Sequence, residues 1–313
     1  MWSALAIAVV FAAGLAAYAA FALPLWAEGV PAWLLTLGLP VAFFVILAIF
    51  VAWYFALAWV HRAPRPPYAR IGLRATLRLV ALEYWTLAGA PLRMLLYRIL
   101  VRDPPPAPAA LPVLLLHGVL CNGGVWASTL RHLRNAGVGP VYALSYGPPL
   151  ASIERFAEQV QQRIDEIRAA TGAARLVIVT HSMGGLVALA YLRRYGAGRV
   201  ARLVAIGAPF HGSVHARWFF GTSLSQLRPG NAWLAALHAR APAGGPPVAS
   251  IWSWHDSMVT PQTSSLLDGA HNIALTGIGH NALLRNPAVL ELVVAEYRAA
   301  ALDVPAATSE CPA

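Results

Sequence analysis

Apolar and polar positions follow two different patterns along the 313-residue chain. From about residue 110 onward, short apolar runs rich in β-branched residues alternate with longer stretches of helical period. This alternation predicts an α/β fold within residues 109–302, with a mostly parallel sheet covered by helices on both faces. The predicted strands are 112–116, 141–145, 175–180, 201–206, 248–254 and 272–276, and the predicted helices are 124–136, 152–170, 183–195 and 287–301.

The N-terminal pattern is different because it lacks charges altogether. Residues 2–27 and 30–60 carry no charged side chain, and each run exceeds the roughly 20 residues that cross a bilayer. A turn at Glu28 and Gly29 separates the two runs, so we predict a transmembrane helical hairpin over residues 1–60. A cleaved signal peptide is the alternative for the first run, although it has no basic residue near its start.

Residues 61–108 form a basic connector between the hairpin and the α/β domain. Its arginines begin directly after the second apolar run, and no acid precedes Glu83. By the positive-inside rule this flank is cytoplasmic, which predicts a multi-pass protein of the bacterial inner membrane with a cytoplasmic catalytic domain. The connector suits an amphipathic helix at an anionic lipid surface, or a helix packed on the α/β domain. The net charge of +10 does not indicate nucleic acid, because eight of the 23 basic residues lie in this segment.

The strongest chemical motif is the run that ends at Ser182. A β-branched strand leads into Thr180-His181-Ser182-Met183-Gly184-Gly185, and a helical pattern follows. This order resembles the nucleophile elbow of the α/β-hydrolase fold, in which a strained turn projects the serine above the sheet. Thr180 stands where that motif usually has its first glycine.

The other two members of a catalytic triad follow from chain order, which in this fold is serine, acid, histidine. No Asp or Glu lies between Met183 and His255, so the first acid is Asp256, directly after the strand 248–254. Asp268 precedes the next strand and is expected at the opposite edge of the sheet. His280 leaves the last strand whereas His271 enters it. We therefore predict Ser182, Asp256 and His280 as the triad.

A glycine-rich loop after the first predicted strand is the candidate oxyanion hole. His117-Gly118-Val119-Leu120 follows the apolar run 112–116. Such a loop can aim backbone N–H groups at a developing negative charge. We assign the two donors to the backbone amides of Val119 and Met183. The neighbouring residues His117, Gly118, Leu120 and His181 are predicted to contact the substrate.

Together these motifs resemble a bacterial triacylglycerol lipase or esterase of the α/β-hydrolase superfamily. The similarity covers roughly residues 110–302 and includes the segment Gly207-Ala208-Pro209-Phe210-His211-Gly212-Ser213. The resemblance implies hydrolysis of carboxylic esters through an acyl-enzyme. Some lipases of this type bind structural calcium, but Asp268 is the only spare acid between the elbow and the final helix. We predict no metal site and no cofactor.

Residues 213–247 are predicted to form a cap over the triad. This segment carries Trp218 and Phe219, which we expect at the substrate, and its charged side chains are all basic. It is either a lid that opens against lipid or a fixed cap whose aromatic residues are core. Residues 303–313 are expected to be a disordered tail.

The predicted function is a membrane-anchored serine hydrolase, a lipase or carboxylesterase whose partners are an ester or lipid substrate and membrane lipids. An acyltransferase could use the same triad and pass the acyl group to an alcohol instead of water. A catalytically inactive membrane scaffold or transport-associated protein would not need the triad. An epoxide hydrolase normally uses an Asp nucleophile, and Ser182 occupies that position.

Overall fold

A computed structural model describes residues 2–239 and 244–303 of the chain. Its N-terminal helices are α1 Trp2–Ala27, α2 Ala32–Val60, α3 Leu73–Ala88, α4 Ala90–Leu95 and α5 Tyr97–Leu100. The strands are β1 Val113–Leu116, β2 Val141–Leu144, β3 Leu176–His181, β4 Val200–Ile206, β5 Val248–Ser253 and β6 His271–Leu275. The remaining helices are α6 Ala127–Asn135, α7 Ile153–Thr171, α8 Gly184–Tyr195, α9 Thr222–Gln226, α10 Ala232–His238 and α11 Pro287–Leu302.

Within the described residues, the six strands form one sheet in the order β2-β1-β3-β4-β5-β6, and every neighbouring pair is parallel. Both ends of every strand agree with the predicted bounds to within one residue. Strand β1 and the first four residues of β3 are continuous apolar runs, as expected of strands that are buried on both faces. The strand order reverses its direction at β1, so loops from both sides meet at the carboxyl ends of the central strands. Binding and catalytic sites of such sheets lie at this edge.

Helices cover both faces of the sheet and enclose two hydrophobic clusters. One cluster packs α7 and α8 around Phe156, Ile164 and Tyr191. The other packs α6 and α11 around Trp126 and Val293. Helix α7 shows why these helices form where they do. Ser152 caps its first turn by accepting from the backbone N–H of Arg155, and Gly172 ends it in the left-handed conformation.

Helices α1 and α2 are long and apolar enough to cross a membrane. Their outward surfaces expose many large apolar side chains, which a water-exposed helix pair would bury. The Tyr18 hydroxyl donates to the carbonyl O of Leu35 at 2.5 Å, and this hydrogen bond joins the two helices.

The connector is three short helices, α3 to α5, instead of one amphipathic helix. It packs on the α/β domain, which is the second of the two arrangements considered from the sequence. Glu83 of α3 is buried against the loop that follows β6. The backbone of Arg93 in α4 lies so close to Gly124 that a Cβ there would be 2.2 Å from the Arg93 carbonyl O.

The segment between β4 and β5 is built from small elements. A 3₁₀ turn, Val214–Trp218, is followed by α9 and α10. Residues 240–243, including Arg240 of the predicted cap, lie outside the described residues, as do residues 304–313 of the predicted tail.

Candidate active site

Ser182 lies at the apex of a tight turn between β3 and α8. Its φ of +57° is the left-handed conformation that side chains other than glycine rarely adopt, and its backbone N–H donates to the Ile206 carbonyl O at 2.9 Å. The two glycines that follow allow neighbouring chain segments to approach. A Cβ on Gly184 would lie 2.5 Å from the Leu116 carbonyl O, and one on Gly185 would lie 2.4 Å from the Ala208 Cβ. Any larger residue at either position would force the backbone apart.

Asp256 and His280 form a buried pair at the same edge of the sheet. Oδ2 of Asp256 accepts from Nδ1 of His280 at 2.8 Å, and both side chains are nearly inaccessible to solvent. Oδ1 of Asp256 accepts from the backbone N–H groups of Met258 and Val259 at 2.8 and 2.7 Å. The carboxylate is therefore held by three donors, and the imidazole is oriented with Nδ1 protonated.

Gly207 makes room for this pair. Its φ is +55°, and a Cβ there would lie 3.3 Å from both Oδ2 of Asp256 and Nδ1 of His280. Gly207 directly follows β4, whose neighbours in the sheet, β3 and β5, lead into Ser182 and Asp256. A glycine at this position keeps the hydrogen bond between acid and imidazole free of side-chain contact.

Burial and charge act in opposite directions on His280. Burial alone lowers the pKa of His280, but the charge of Asp256 and its hydrogen bond outweigh burial, so that the pKa is raised above its ordinary value of 6.5. His181 packs against it, with ring centroids 4.6 Å apart. Burial and the proximity of His280 hold the pKa of His181 well below 6.5, so His181 stays neutral.

Two backbone N–H groups near Ser182 are free to bind an oxyanion. In the described part of the chain, neither the Val119 nor the Met183 amide donates to a protein acceptor. Met183 follows Ser182 directly, and Val119 lines the same cavity as Ser182. Gly118 packs on the serine, since a Cβ there would lie 2.9 Å from the Ser182 Cβ. Both predicted donors are therefore without a protein acceptor in the described structure.

An apolar cavity of about 110 Å³ opens beside Ser182. Of the predicted substrate contacts, Leu120 and Phe219 line this cavity and Trp218 does not. Trp218 is 61% exposed and packs edge-on against Trp53 of α2. The remaining side chains that line the cavity are Tyr54, Val119, Pro209, Ser213, His215, Ala216, Leu224, Leu227, Met258 and Val259.

His117 and His181 do not line this cavity. His117 is buried, stacks on Tyr146 with centroids 4.0 Å apart, and donates from Nδ1 to the Gly118 carbonyl O at 2.8 Å. Burial lowers the pKa of His117 to about 4. Nε2 of His181 donates to the His280 carbonyl O at 3.1 Å. Both histidines therefore hold loop backbone in place and do not line the cavity.

Comparisons with known proteins agree with this architecture. Residues 112–265 match the family described as alpha/beta hydrolase fold. Lipase B of Aspergillus fumigatus is 24% identical, with 59% of this chain and 52% of that chain covered and a TM-score of 0.53. The mature Bacillus licheniformis lipase BlEst2 is 14% identical, with 62% and 96% covered and a TM-score of 0.56.

The domain has the α/β-hydrolase fold. A further similarity is to 1-acylglycerol-3-phosphate O-acyltransferase ABHD5 of Sus scrofa, which is 31% identical over 140 residues. That match covers 41% of this chain and 37% of the pig protein, so it concerns only part of either protein.

Sequence reasoning missed three residues that the structure brings to the candidate site. Tyr54 of α2 and His215 line the cavity and stack on each other with centroids 4.9 Å apart. Glu83 of α3 bonds to Ser257 and Asn281, the neighbours of Asp256 and His280. The one available sequence signal was Glu83 itself, the first of two acids in a connector with eight arginines.

Residues 2–239 and 244–303 of the chain contain no group of three or more His, Cys, Asp or Glu side chains that could hold a metal ion. Cys121 has a free thiol, and burial raises its pKa to about 12. This thiol is therefore a poor nucleophile at neutral pH.

Proposed function

We propose that the protein is a serine hydrolase that cleaves carboxylic esters, with Ser182 as nucleophile, His280 as general base and Asp256 as the acid that orients it. The observation that carries this proposal is the buried hydrogen bond between Asp256 and His280 at the sheet edge that also presents Ser182 on a strained turn. Such an ordered set of roles is the basis of serine ester hydrolysis.

In the proposed reaction, Nε2 of His280 takes the proton of the Ser182 hydroxyl as its Oγ bonds to the ester carbonyl carbon. The carbonyl oxygen becomes an oxyanion that accepts from the N–H groups of Val119 and Met183. When the C–O bond breaks, His280 returns the proton to the leaving alcohol, and an acyl-enzyme remains. Water then attacks the acyl-enzyme in the same way. His280 takes a proton from the water and passes it to Ser182, and the carboxylic acid is released.

The acyl group of the substrate occupies the apolar cavity in this proposal. Its walls are carbon-rich, which favours an alkyl chain. Tyr54 contributes one wall and belongs to α2, a helix long and apolar enough to lie in a membrane. We therefore propose that α1 and α2 anchor the protein in a membrane, that the arginines after α2 face the cytoplasm, and that the substrate is a lipid ester.

Acyl transfer is the second candidate, and the similarity to an acyltransferase from Sus scrofa favours considering it. The acyl-enzyme would form in the same way, and an alcohol other than water would attack it. The two reactions differ only in the acceptor. Product analysis separates them, because transfer predicts a new ester whose yield rises with added acceptor alcohol.

Removing the nucleophile tests the proposal directly. We expect Ser182→Ala in the full-length, detergent-solubilised chain to abolish fluorophosphonate labelling and to lower kcat on p-nitrophenyl esters by on the order of 10⁶. Ser225→Ala changes an exposed serine of α9 and should leave both readouts unchanged. Turnover or labelling that survives in folded Ser182→Ala protein would show that another residue is the nucleophile.

Replacing the acid tests the orientation of His280. We expect Asp256→Asn to lower kcat by about 10⁴, because the imidazole loses its anionic partner and its correct tautomer. Asp268→Asn, an exposed residue before β6, should have little effect. In the wild type His280 must be neutral to act as base, so its raised pKa predicts that kcat/KM increases with pH through a midpoint above 6.5. Asp256→Asn should move that midpoint downward, and a reversed effect of the two aspartates would refute the assignment.

Chain-length dependence tests the cavity. We expect Phe219→Ala to lower kcat/KM for p-nitrophenyl octanoate about tenfold, since the lost contact with two methylenes is worth roughly 1.6 kcal/mol. The acetate ester, whose acyl group is too short to reach Phe219, should change by no more than about twofold. Trp218→Ala is the matched control because Trp218 does not line the cavity. Equal losses on both esters, or a larger effect of Trp218→Ala, would place the acyl chain elsewhere.

A further inference from the structure

A second and larger cavity lies where α2 ends and the connector begins. Its volume is about 690 Å³, and it is enclosed by the last turns of α2, the start of the connector, α3 and the loop after β5. The polar side chains that line it are Arg62, Arg65, Arg70, Thr76, His255 and Asp256. It shares no lining residue with the cavity at Ser182.

The positive charges of this cavity have no carboxylate partner. Across the described residues, none of Arg62, Arg65 and Arg70 forms a salt bridge. Asp256 also lines the cavity, but its carboxylate already accepts from His280 and from two backbone amides. Burial and the neighbouring charge of Arg62 lower the pKa of Arg65. Uncompensated cations this close together repel one another and would gain from an anion.

Two buried donors of the cavity residues also lack acceptors. His255 is only 4% exposed, and its Nδ1 accepts from the Gly277 backbone N–H at 3.0 Å. Burial lowers the pKa of His255 to about 4, so the ring is neutral and its single proton lies on Nε2. That Nε2 has no partner in the described structure, and neither has Nε of Arg65. A buried donor without an acceptor costs about 1–3 kcal/mol of stability, so an acceptor at either atom would be stabilising.

We propose that this cavity binds a phosphate group. A phosphate offers several acceptor oxygens and negative charge, and guanidinium groups bind it through paired N–H donors. The His255 and Arg65 donors would complete its coordination. The phosphate is the headgroup of a membrane lipid or free phosphate, and the end of α2 is where a lipid phosphate would lie if α2 spans the bilayer.

The test uses the full-length, detergent-solubilised chain and two probes. Inorganic phosphate is titrated against the thermal midpoint, and phosphatidic acid binding is measured by native mass spectrometry against phosphatidylcholine. We expect saturable binding that Arg65→Gln and Arg70→Gln each weaken about tenfold, the loss of one charge-assisted contact. Arg74→Gln is the matched control, because it removes the same charge from an exposed position of α3 outside the cavity. We expect this control to stay within about twofold of the wild type.

The outcomes separate the sources of the phosphate. Binding of inorganic phosphate supports a free-phosphate site, and binding of phosphatidic acid alone supports a lipid headgroup. If Arg65→Gln fails to fold, Arg70→Gln carries the test, since Arg70 is exposed. Absence of saturable binding of both probes would overturn the proposal. An equal loss in all three variants would also overturn it, because binding would then be general attraction to a basic surface.

A second inference concerns Glu83, and it rests on the proposed function. Glu83 is 1% exposed and forms no salt bridge with any residue that the structure describes. Its carboxylate instead accepts from the Ser257 hydroxyl at 3.1 Å, the Asn281 side-chain amide at 2.8 Å, and the backbone N–H groups of Asn281 and Ala282 at 2.9 Å each. It therefore joins the residue after Asp256 to the residue after His280.

We infer that Glu83 is a positioning residue that fixes the loop carrying His280 and places a second negative charge near its imidazole. Four titratable groups face His280 from the elements packed around it: Asp256, His181, His215 and Glu83. Burial keeps His181 and His215 neutral by lowering their pKa values. Glu83 thus adds to Asp256, the dominant partner, in raising the pKa of His280.

The pH profile separates this role from a purely structural one. We expect Glu83→Gln to lower kcat about tenfold with little change in KM, and to move the acid limb of kcat/KM to lower pH because a negative charge near His280 is lost. Glu83→Asp keeps the charge on a shorter side chain and should lower kcat while leaving that midpoint in place. Glu166→Gln removes an exposed carboxylate of α7 and is the matched control.

A folded Glu83→Gln protein with an unchanged midpoint would overturn this inference and leave Glu83 a structural anchor. If Glu83→Gln does not fold, a midpoint displaced in Glu83→Asp would overturn it instead. Failure of the proposed function is recognised separately, since it would appear as fluorophosphonate labelling of the Ser182→Ala protein.

Discussion

The close backbone approach around Ser182 is the constraint on which the site depends. The left-handed turn at Ser182 is held by a hydrogen bond to β4 and by the absence of side chains at Gly184 and Gly185. At the same edge of the sheet, Gly207 leaves space for the Asp256–His280 pair. A strained backbone conformation persists only when its surroundings hold it in place, and here the buried strands β1, β3 and β4 do so.

The N-terminal helices contribute to the surroundings of Ser182 and His280. Tyr54 of α2 forms a wall of the cavity at Ser182, and Glu83 of α3 is buried against the loop that carries His280. Ser3 of α1 donates to the Cys121 carbonyl O at 2.7 Å, in the loop that also carries Val119. Helix α2 thus contacts the cavity, α3 contacts the histidine loop, and α1 and α4 both contact the loop after β1. Displacing these helices would alter the cavity, the histidine loop and the oxyanion loop together.

Chain order predicted Asp256 and His280 as partners, because a parallel sheet places every strand's carboxyl end at one edge, and the structure joins the two by a hydrogen bond. The same reasoning placed Asp268 and His271 at the other edge, and the structure agrees. The structure separates the residues that were predicted to contact the substrate. His117 and His181 are near Ser182 in sequence but turn into the loop packing, and Trp218 points to α2 while its neighbour Phe219 reaches the cavity. Adjacent residues on a loop can face opposite directions. A loop has no regular hydrophobic period from which one could predict which of the two side chains is buried.

By itself the sequence determined the α/β-hydrolase fold, its strand bounds and the two apolar helices, because hydrophobic period and length are local properties that burial imposes directly. Only the tertiary structure decided that the connector packs on the domain and that Glu83 is buried beside the histidine loop. It also decided that three arginines, which form no salt bridge with any described residue, share a cavity with His255. These features join residues separated by up to 199 positions. Such contacts depend on how helices dock on a finished sheet, and side-chain patterns along the chain do not encode that docking.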